Sequence, residues 1–269
     1  MTDDTVPGRL GLIGCGQLGG AIAGALLRAG VVPPLRLTIC TRSGPAGPMA
    51  EVAGIVWTAD PQAVAQGCDT LLLALPPMAG RALRLAAGGR LVISVMAGVT
   101  LAQLATISGS PRRVRAMSNP AAQSGMAYSP FYAPGLSDAD RAVTRAVFDA
   151  CGLTDEVPEE SQMDVFTAVT GPVPGFVAYV AQCMQEYAQS QGVAPDTARR
   201  AVAQLFRAAG TLMADSERPP AAFVQEMLDY AGTTAAGLAA MQAAGLPAAV
   251  AQGLEAARQR CLTIGAPED

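Results

Sequence analysis

The stretch GLIGCGQLGGAIAGALLRAG, residues 11–30, decides the fold of this chain. Gly14, Gly16 and Gly19 have the spacing GxGxxG, between an apolar run and a run rich in alanine and leucine. The first glycine allows a tight turn, the second lets the backbone approach a pyrophosphate, and the third lets a helix pack closely on a strand. Amide groups at the start of that helix would donate to the phosphates. The stretch therefore predicts a dinucleotide-binding strand, turn and helix, with a purely structural glycine turn as the alternative.

Residues 9 to about 157 alternate short β-rich runs with helical runs. The β-rich runs carry apolar residues on both faces, which is typical of strands in a sheet that helices cover on both sides. The predicted strands are 9–14, 35–40, 70–75, 90–95, 113–117 and 126–133. The predicted helices between them are 21–30, 61–67, 79–87 and 100–106. The alternation predicts an α/β fold that begins with a Rossmann-type, doubly wound sheet.

The second half of the chain is predicted to be all-helical, because Gly or Pro separates its segments and no strand intervenes. The segments are 163–169, 175–192, 196–214, 221–230, 233–245 and 248–261. We therefore predict a dinucleotide-binding Rossmann domain, residues 1–158, and a helical dimerisation and substrate domain, residues 159–269. Several helices are apolar on more than one face, which a domain of this size cannot bury alone. A homodimer with interleaved helices is expected, and assembly beyond the dimer, up to a decamer, is left open.

The composition limits the chemistry that this chain can perform. It has no histidine, and all 18 of its basic residues are arginine, so the commonest general base and every lysine-dependent mechanism are absent. The net charge is −4, the arginines are dispersed and aromatic residues are few, so the sequence does not indicate a surface that binds nucleic acid. Six cysteines without a CxxC pair indicate a reducing compartment and no metal site. Arg112, Arg113 and Arg115 are expected to form a solvated strand edge.

The sequence also predicts where the protein is found. No apolar run reaches the roughly 20 residues that a membrane span needs. The N-terminal residues 1–9 are acidic and unlike a signal peptide. We therefore expect a cytoplasmic protein without membrane contact.

The residues after the second predicted strand indicate which dinucleotide binds. An Asp or Glu at this point would hold the ribose 2′-hydroxyl of NAD. This chain instead has Thr41, Arg42 and Ser43. An arginine between two hydroxyls favours the 2′-phosphate of NADP. NADP(H) is therefore the predicted cofactor, with Arg42 as an ordinary solvated residue as the alternative.

Five segments carry a family resemblance over nearly the whole chain. They are IGCGQLGGAI (13–22), ISVMAGVTLAQL (93–104), RRVRAMSNPAA (112–122), TGPVPGFVAYV (170–180) and AGTTAAGL (231–238). In their order and spacing they resemble the pyrroline-5-carboxylate reductases, which reduce a cyclic imine to proline with NAD(P)H. The resemblance implies an NADP-dependent oxidoreductase of proline biosynthesis that acts on a carbon–nitrogen double bond.

The resemblance also implies site residues. The substrate contacts that it implies are Ser118, Asn119, Gly232, Thr233 and Thr234. Together with the glycine turn and the residues after the second strand, the predicted cofactor contacts are Gly14, Gly16, Gln17, Leu18, Gly19, Thr41, Arg42, Ser43, Ala74, Leu75, Pro76, Ala97 and Asn119.

Reduction of an iminium suits a chain without histidine and lysine. The cofactor supplies a hydride, and the substrate nitrogen is already protonated or takes a proton from water or a hydroxyl. Catalysis then depends on holding the reacting carbon within about 3–3.5 Å of the nicotinamide and on excluding water. Thr233 or Thr234 would cap the following helix, whose free amide groups would bind a substrate carboxylate. The hydroxyl of Thr234 would meet the imine nitrogen, and a purely structural helix cap is the alternative.

Several positions depart from the family pattern where the substrate is expected. Residues 229–234 read Asp-Tyr-Ala-Gly-Thr-Thr, where the family has Ser-Pro-Gly-Gly-Thr-Thr. Leu75 replaces a family lysine near the cofactor, and Ser118 replaces a proline. If Asp229 faces the pocket as a carboxylate, it would repel a substrate carboxylate 4 Å away by about 1 kcal/mol in water and by about 4 kcal/mol at an effective dielectric of about 20.

We therefore hypothesise a cyclic imine substrate other than the usual proline precursor. Thr234, Asp229 and Tyr230 are the predicted catalytic residues, with Asp229 or Tyr230 delivering the proton. One alternative is that Asp229 faces the solvent. Another is that the chain is a catalytically impaired NADP(H)-binding sensor or partner protein. The β-hydroxyacid dehydrogenases share the domain order, but their chemistry is assisted by a lysine. This class is largely excluded because the chain has no lysine.

Overall fold

Five of the predicted strands and part of the sixth lie in one seven-stranded sheet in the computed structural model, which describes residues 6–45 and 47–264. Its strands are β1 (Leu10–Ile13), β2 (Leu37–Cys40), β3 (Val56–Thr58), β4 (Thr70–Leu73), β5 (Leu91–Ser94), β6 (Arg113–Ala116) and, after the short β7 (Ala127–Tyr128), β8 (Phe131–Tyr132). Their order across the sheet is β3-β2-β1-β4-β5-β6-β8. The first six are parallel, and β8 is antiparallel to β6.

This strand order is that of a doubly wound nucleotide-binding sheet, and it confirms the predicted fold class. The order reverses between β1 and β4, so the crevice that binds a ligand in such sheets opens at the carboxyl end of β1. The predicted strand 126–133 divides into β7 and β8, and β7 pairs with β9 (Gly152–Leu153) in a second, small sheet. The edge strand β3 was not predicted, because only three residues of it pair.

Eleven α-helices follow the order that the sequence indicates, within the part of the chain that the structure describes. Those of the first half are α1 (Gln17–Arg28), α2 (Pro61–Gly67), α3 (Pro77–Ala82), α4 (Leu101–Ser108) and α5 (Asp138–Asp149), of which α5 was not predicted. Those of the second half are α6 (Gln162–Val169), α7 (Gly175–Ser190), α8 (Pro195–Ala214), α9 (Pro220–Tyr230), α10 (Thr233–Ala243) and α11 (Leu246–Thr263).

Side chains just before two of these helices explain where they begin. Asp60 accepts a hydrogen bond from the backbone amide of Gln62 at 2.8 Å and so starts α2. Thr100 and Gln103 form a capping box in which each side chain accepts from the other residue's amide, and this starts α4. Such caps each stabilise a helix by about 1 kcal/mol.

Helices cover the sheet on both faces. Ile22 and Leu26 of α1 are fully buried on one face, and Val64 of α2 and Leu104 of α4 are fully buried on the other. For this reason β1, β2, β4 and β5 are buried along their whole length. Each large apolar side chain buried in this way stabilises the fold by roughly 1.5–3 kcal/mol.

The chain divides into two compact units. The first unit comprises the chain up to Pro172 together with the end of the chain from Glu255, and the second unit is Val173–Leu254. The division into domains at residues 158 and 159, which was based on sequence pattern, stays a prediction. Residues 1–5 of the acidic N-terminal segment lie outside the described residues.

The helices of the second unit expose apolar side chains. In the single chain α7, α9 and α10 bury no residue, and α8 buries only Ala198. Large exposed apolar residues of this unit include Phe176, Val177, Tyr179, Val180, Tyr187, Leu205, Leu212, Met213, Val224, Met227, Tyr230, Met241, Leu246 and Val250. Among the described helices none is by itself long and apolar enough to cross a membrane, although α10 and α11, bent by 57°, meet the length and composition requirement as a pair.

Candidate active site

The turn between β1 and α1 lies between the ends of two neighbouring strands. The amide of Gly14 donates to the carbonyl oxygen of Cys40 at 3.0 Å, and the amide of Ala74 donates to the carbonyl oxygen of Ile13 at 2.9 Å. Gly14 has a φ of +97°, and a methyl group on it would lie 2.6 Å from the carbonyl oxygen of Ala74. Only glycine fits this position, because both the backbone angle and the close approach exclude a side chain.

The other two glycines of the motif have different roles. A methyl group on Gly19 would lie 2.1 Å from the carbonyl oxygen of Gly14, so Gly19 lets α1 pack against the turn. A methyl group on Gly16 would meet nothing within 4 Å. Gly16 precedes the first turn of α1, and no side chain caps this end of the helix. The first amide groups of α1 therefore have no side-chain partner and the backbone at Gly16 is open to a close approach, which is the arrangement that binds a pyrophosphate.

The residues after β2 provide an exposed cation beside this turn. The hydroxyl of Thr41 donates to the carbonyl oxygen of Gly44 at 2.7 Å, so it can only accept from a ligand. Arg42 and Ser43 are exposed. Within the described residues, neither side chain makes a hydrogen bond or an ion pair. The guanidinium of Arg42 is therefore available for a phosphate.

The remaining predicted cofactor residues of the sheet follow β4 and β5. Leu75 is half-buried beside the turn, and its Cδ2 would lie 2.9 Å from a methyl group on Gly14. Ala97 is half-exposed and precedes Gly98, whose carbonyl oxygen accepts from Nη2 of Arg81 at 2.6 Å. The first unit thus brings the predicted residues after β1, β2, β4 and β5 to one edge of the sheet.

Ser118 and Asn119 lie after β6 and are buried, with 2% and 3% exposure. The hydroxyl of Ser118 is 2.9 Å from the hydroxyl of Ser129. Nδ2 of Asn119 donates to the carbonyl oxygen of Thr170 at 3.1 Å, and its Oδ1 accepts from the amide of Ala121 at 2.9 Å. Both side chains are therefore held by internal hydrogen bonds, and their contacts with a cofactor or substrate stay predictions.

The corner, residues 229–234, joins α9 to α10 in the second unit. Ala231 has a φ of +54° and ends α9, and Gly232 precedes the first residue of α10. Thr233 and Thr234 are the first two residues of α10, and no side chain caps this helix. The expectation that one of the two threonines caps α10 is therefore wrong, because Gly232 occupies the capping position. Thr233 and Thr234 are exposed, and the first amides of α10 have no side-chain partner, so they are free to bind an anion.

Asp229 and Tyr230 also lie on the exposed side of the corner. Oδ1 of Asp229 accepts from Nε2 of Gln225 at 2.7 Å. Tyr230 is 83% exposed, and its ring lies over Gly232, where a methyl group would be 3.1 Å from two ring carbons. The corner thus combines a carboxylate, a phenol and an uncapped helix start.

The structure corrects the expectation of a solvated arginine edge for one of its three arginines. Arg115 is 4% exposed, because β8 pairs with β6 and removes the sheet edge there. Its guanidinium pairs with Asp164 and with Glu160. The sequence offers a partial signal for this cluster, since an arginine inside a short apolar strand needs buried carboxylates nearby.

Comparison with known proteins identifies the family of the chain. Residues 160–264 match the family described as pyrroline-5-carboxylate reductase dimerisation, and residues 9–98 match that described as NADP oxidoreductase, coenzyme F420-dependent. The pyrroline-5-carboxylate reductase of Pseudomonas aeruginosa is 31% identical over 253 residues, which cover 87% of this chain and 88% of the relative. This chain belongs to the pyrroline-5-carboxylate reductase family. Membership makes it one of the NADP-dependent oxidoreductases that act on carbon–nitrogen double bonds.

A second relative and two solved structures show how far the similarity extends. The pyrroline-5-carboxylate reductase of Synechocystis is 29% identical over 240 residues, which cover 87% of this chain and 90% of the relative. The structure of the enzyme from Coxiella burnetii has a TM-score of 0.84 at 23% identity and covers 97% of this chain and 99% of that one. A reductive aminase of Aspergillus terreus is less similar, with a TM-score of 0.57 at 17% identity over 83% of this chain and 78% of that one. The structural likenesses concern the fold.

Proposed function

We propose that this chain reduces a cyclic imine to an amine with NADPH, and that its preferred imine carries no carboxylate next to the carbon–nitrogen double bond. The observation that carries the proposal is the carboxylate of Asp229, four residues before the uncapped start of α10. A family member that binds a carboxylated imine needs donors and no anion at this corner. Asp229, where the family has serine, places an anion at the corner and so favours an imine without a carboxylate.

Residues of the first unit would hold the cofactor. The glycine turn and the first amides of α1 would bind the pyrophosphate, and Arg42 and Ser43 would bind the 2′-phosphate. When bound, NADPH supplies the hydride. We expect Arg42→Ala to lower kcat/KM for NADPH by about tenfold or more and to leave that for NADH unchanged, because one charge-assisted contact contributes roughly 1.5–3 kcal/mol. Arg36→Ala, an exposed arginine before β2, is the matched control.

Residues of the corner would hold and orient the imine. The free amides at the start of α10 attract an anion by about 0.3–1 kcal/mol. The carboxylate of Asp229 opposes this attraction by about 1 kcal/mol in water and by more where water is excluded, so a cationic iminium without its own carboxylate is favoured. The hydroxyl of Thr234 would meet the nitrogen of the imine. Tyr230, whose ring lies over Gly232, would supply a proton to an imine that arrives unprotonated, and the carboxylate of Asp229 would stabilise the iminium cation that forms.

The working form that we propose is at least a homodimer. The chain carries the dimerisation domain of its family, and the helices of the second unit expose the apolar faces that such a domain would cover. A molar mass by light scattering distinguishes a dimer from a larger assembly, up to a decamer.

The experiment measures NADPH consumption with matched imines, namely 1-pyrroline and 1-piperideine against pyrroline-5-carboxylate. We expect a higher kcat/KM for the imines without a carboxylate. Asp229→Asn should shift the ratio toward pyrroline-5-carboxylate by about fivefold or more, which corresponds to the repulsion of about 1 kcal/mol in water. Asp215→Asn, an exposed aspartate at the end of α8, should leave the ratio unchanged.

Two results would contradict the proposal. If pyrroline-5-carboxylate is the best substrate and Asp229→Asn does not change its kcat/KM, the altered substrate preference is wrong. If no imine is reduced although NADPH binds, the chain is a sensor or partner protein that has kept only its cofactor site.

A further inference from the structure

Strand β6 carries a buried charge, Arg115, that is not among the predicted cofactor or substrate contacts. Arg115 is 4% exposed. Its guanidinium pairs with Asp164 of α6 and lies 3.4 Å from Oε1 of Glu160, just before that helix. A buried charge without its partners is costly, so these three side chains must stay together.

The two carboxylates also reach two other helices. Oε1 of Glu160 accepts from the backbone amide of Leu101, the first residue of α4, at 2.7 Å. Oδ1 of Asp164 accepts from the thiol of Cys261, near the end of α11, at 3.2 Å. Burial and the hydrogen bond to Asp164 raise the pKa of the Cys261 thiol, so it stays protonated and can donate. We call Arg115, Glu160, Asp164 and Cys261 the Arg115 cluster.

The Arg115 cluster lies next to two segments of the predicted cofactor site. Segment 117–119 follows β6 directly and contains Ser118 and Asn119. Segment 95–100 follows β5, contains Ala97, and ends where Glu160 accepts from the first amide of α4. If the residues after β2 hold the adenosine 2′-phosphate, the nicotinamide half extends the other way from the glycine turn, toward the ends of β4, β5 and β6.

We propose that Arg115, Glu160 and Asp164 are positioning residues that hold segments 95–100 and 117–119 in the arrangement that binds the nicotinamide half of the dinucleotide. They act through the backbone of the two segments. The adenosine half, bound at the other side of the turn, does not depend on them. The proposal rests on the NADP(H) binding of the proposed function and is independent of which imine is reduced.

Glu160→Gln tests the proposal. Glu160 is 30% exposed, and in this variant the buried guanidinium of Arg115 keeps its pair with Asp164. Glutamine keeps an oxygen for the amide of Leu101 but loses the charge that faces Arg115. Calorimetric titration of the free protein should show the affinity for NADPH reduced by about tenfold, or ~1.4 kcal/mol, and the affinity for 2′,5′-ADP, which lacks the nicotinamide, unchanged. Hydrogen exchange of segments 95–100 and 117–119 should also become faster without any cofactor present.

Asp140→Asn is the matched control. Asp140 is another buried carboxylate of the first unit, and it pairs with Arg112 immediately before β6, at the opposite end of that strand. This variant should lower stability without changing the ratio of the two affinities. Asp164→Asn should change the ratio in the same direction as Glu160→Gln.

The proposal is wrong if Glu160→Gln lowers both affinities equally or changes neither, since the Arg115 cluster would then only stabilise the fold. A protein that reduces no imine but shows the expected ratio of affinities would contradict the proposed function and support this one.

Discussion

The two units of the chain differ in what they bury. In the first unit β1, β2, β4 and β5 are buried along their whole length. In the second unit α7, α9 and α10 bury no residue within the single chain. The glycine turn therefore lies in a unit that is packed by itself, whereas the corner lies in one whose apolar faces are uncovered. Cofactor binding is expected to be a property of one chain, and substrate binding a property of the assembly.

The largest effect is expected from a methyl group in the glycine turn. In Gly19→Ala the new methyl group would lie 2.1 Å from the carbonyl oxygen of Gly14. Moving this backbone should cost about 3 kcal/mol of unfolding free energy or more and abolish NADPH binding. Denaturant unfolding and calorimetric titration measure the two effects.

Gly16→Ala is the control for this prediction. A methyl group on Gly16 meets nothing within 4 Å, so stability should stay nearly constant while the affinity for NADPH falls. Equal loss of stability in the two variants would mean that the turn is not packed as described.

The second prediction concerns the uncovered helices. Val180 of α7 is 45% exposed in the single chain. If a second copy covers it, Val180→Glu should weaken the dimer by about 2 kcal/mol or more and remove activity at low concentration, while NADPH still binds. Analytical ultracentrifugation measures the dissociation.

Leu35→Glu is the corresponding control in the first unit. Leu35 is 74% exposed and lies just before β2. This variant should not change the assembly. A Val180→Glu protein that remains a fully active dimer would show that this face of α7 lies outside the interface.

The difference between the units also explains how much could be predicted from the sequence. Gly14, Gly16 and Gly19 act through local backbone geometry, so their spacing alone predicts the turn. An arginine in a short apolar strand suggests a buried ion pair, but the partners of Arg115 lie 45 and 49 residues further along the chain, so no local pattern identifies Glu160 and Asp164. The N-terminal cap of α10 was predicted wrongly. A threonine before an apolar run commonly caps a helix, but here Gly232 is the capping residue and the two threonines are already helical.

The third prediction concerns acid stability. Hydrogen bonds from Arg112 hold the pKa of Asp140 below its usual range. The pair therefore stabilises the first unit above the pKa of an unfolded aspartate, about 3.9, and this stabilisation is lost as the pH falls through the lower pKa of the folded state. Asp140→Asn should remove about 1.5–2 kcal/mol of unfolding free energy at pH 7 and flatten the loss of stability in acid.

An ion pair of the second unit provides the contrast for this prediction. Arg218 and Glu226 pair at 2.6 Å, but their side chains are 49% and 55% exposed. Glu226→Gln should change the stability by less than about 1 kcal/mol at any pH, because solvent screens exposed pairs. A similar acid dependence for both variants would contradict the assignment of acid sensitivity to the first unit.

The smallest effect is expected at the corner itself. Ala231 has a φ of +54°, a conformation that costs an L-residue about 1 kcal/mol and that glycine adopts freely. Ala231→Gly should therefore stabilise the second unit by up to about 1 kcal/mol in urea unfolding. Ala244→Gly, at the end of α10 with a φ of −76°, should instead destabilise it by roughly 0.5–1 kcal/mol, because glycine there only adds freedom to the unfolded chain. Equal destabilisation by the two variants would show that Ala231 is not left-handed in solution. Ala231→Gly could also be more stable but slower with every imine. That result would show that the strained alanine holds the corner in the geometry that catalysis needs, since strained backbone is often found at functional sites.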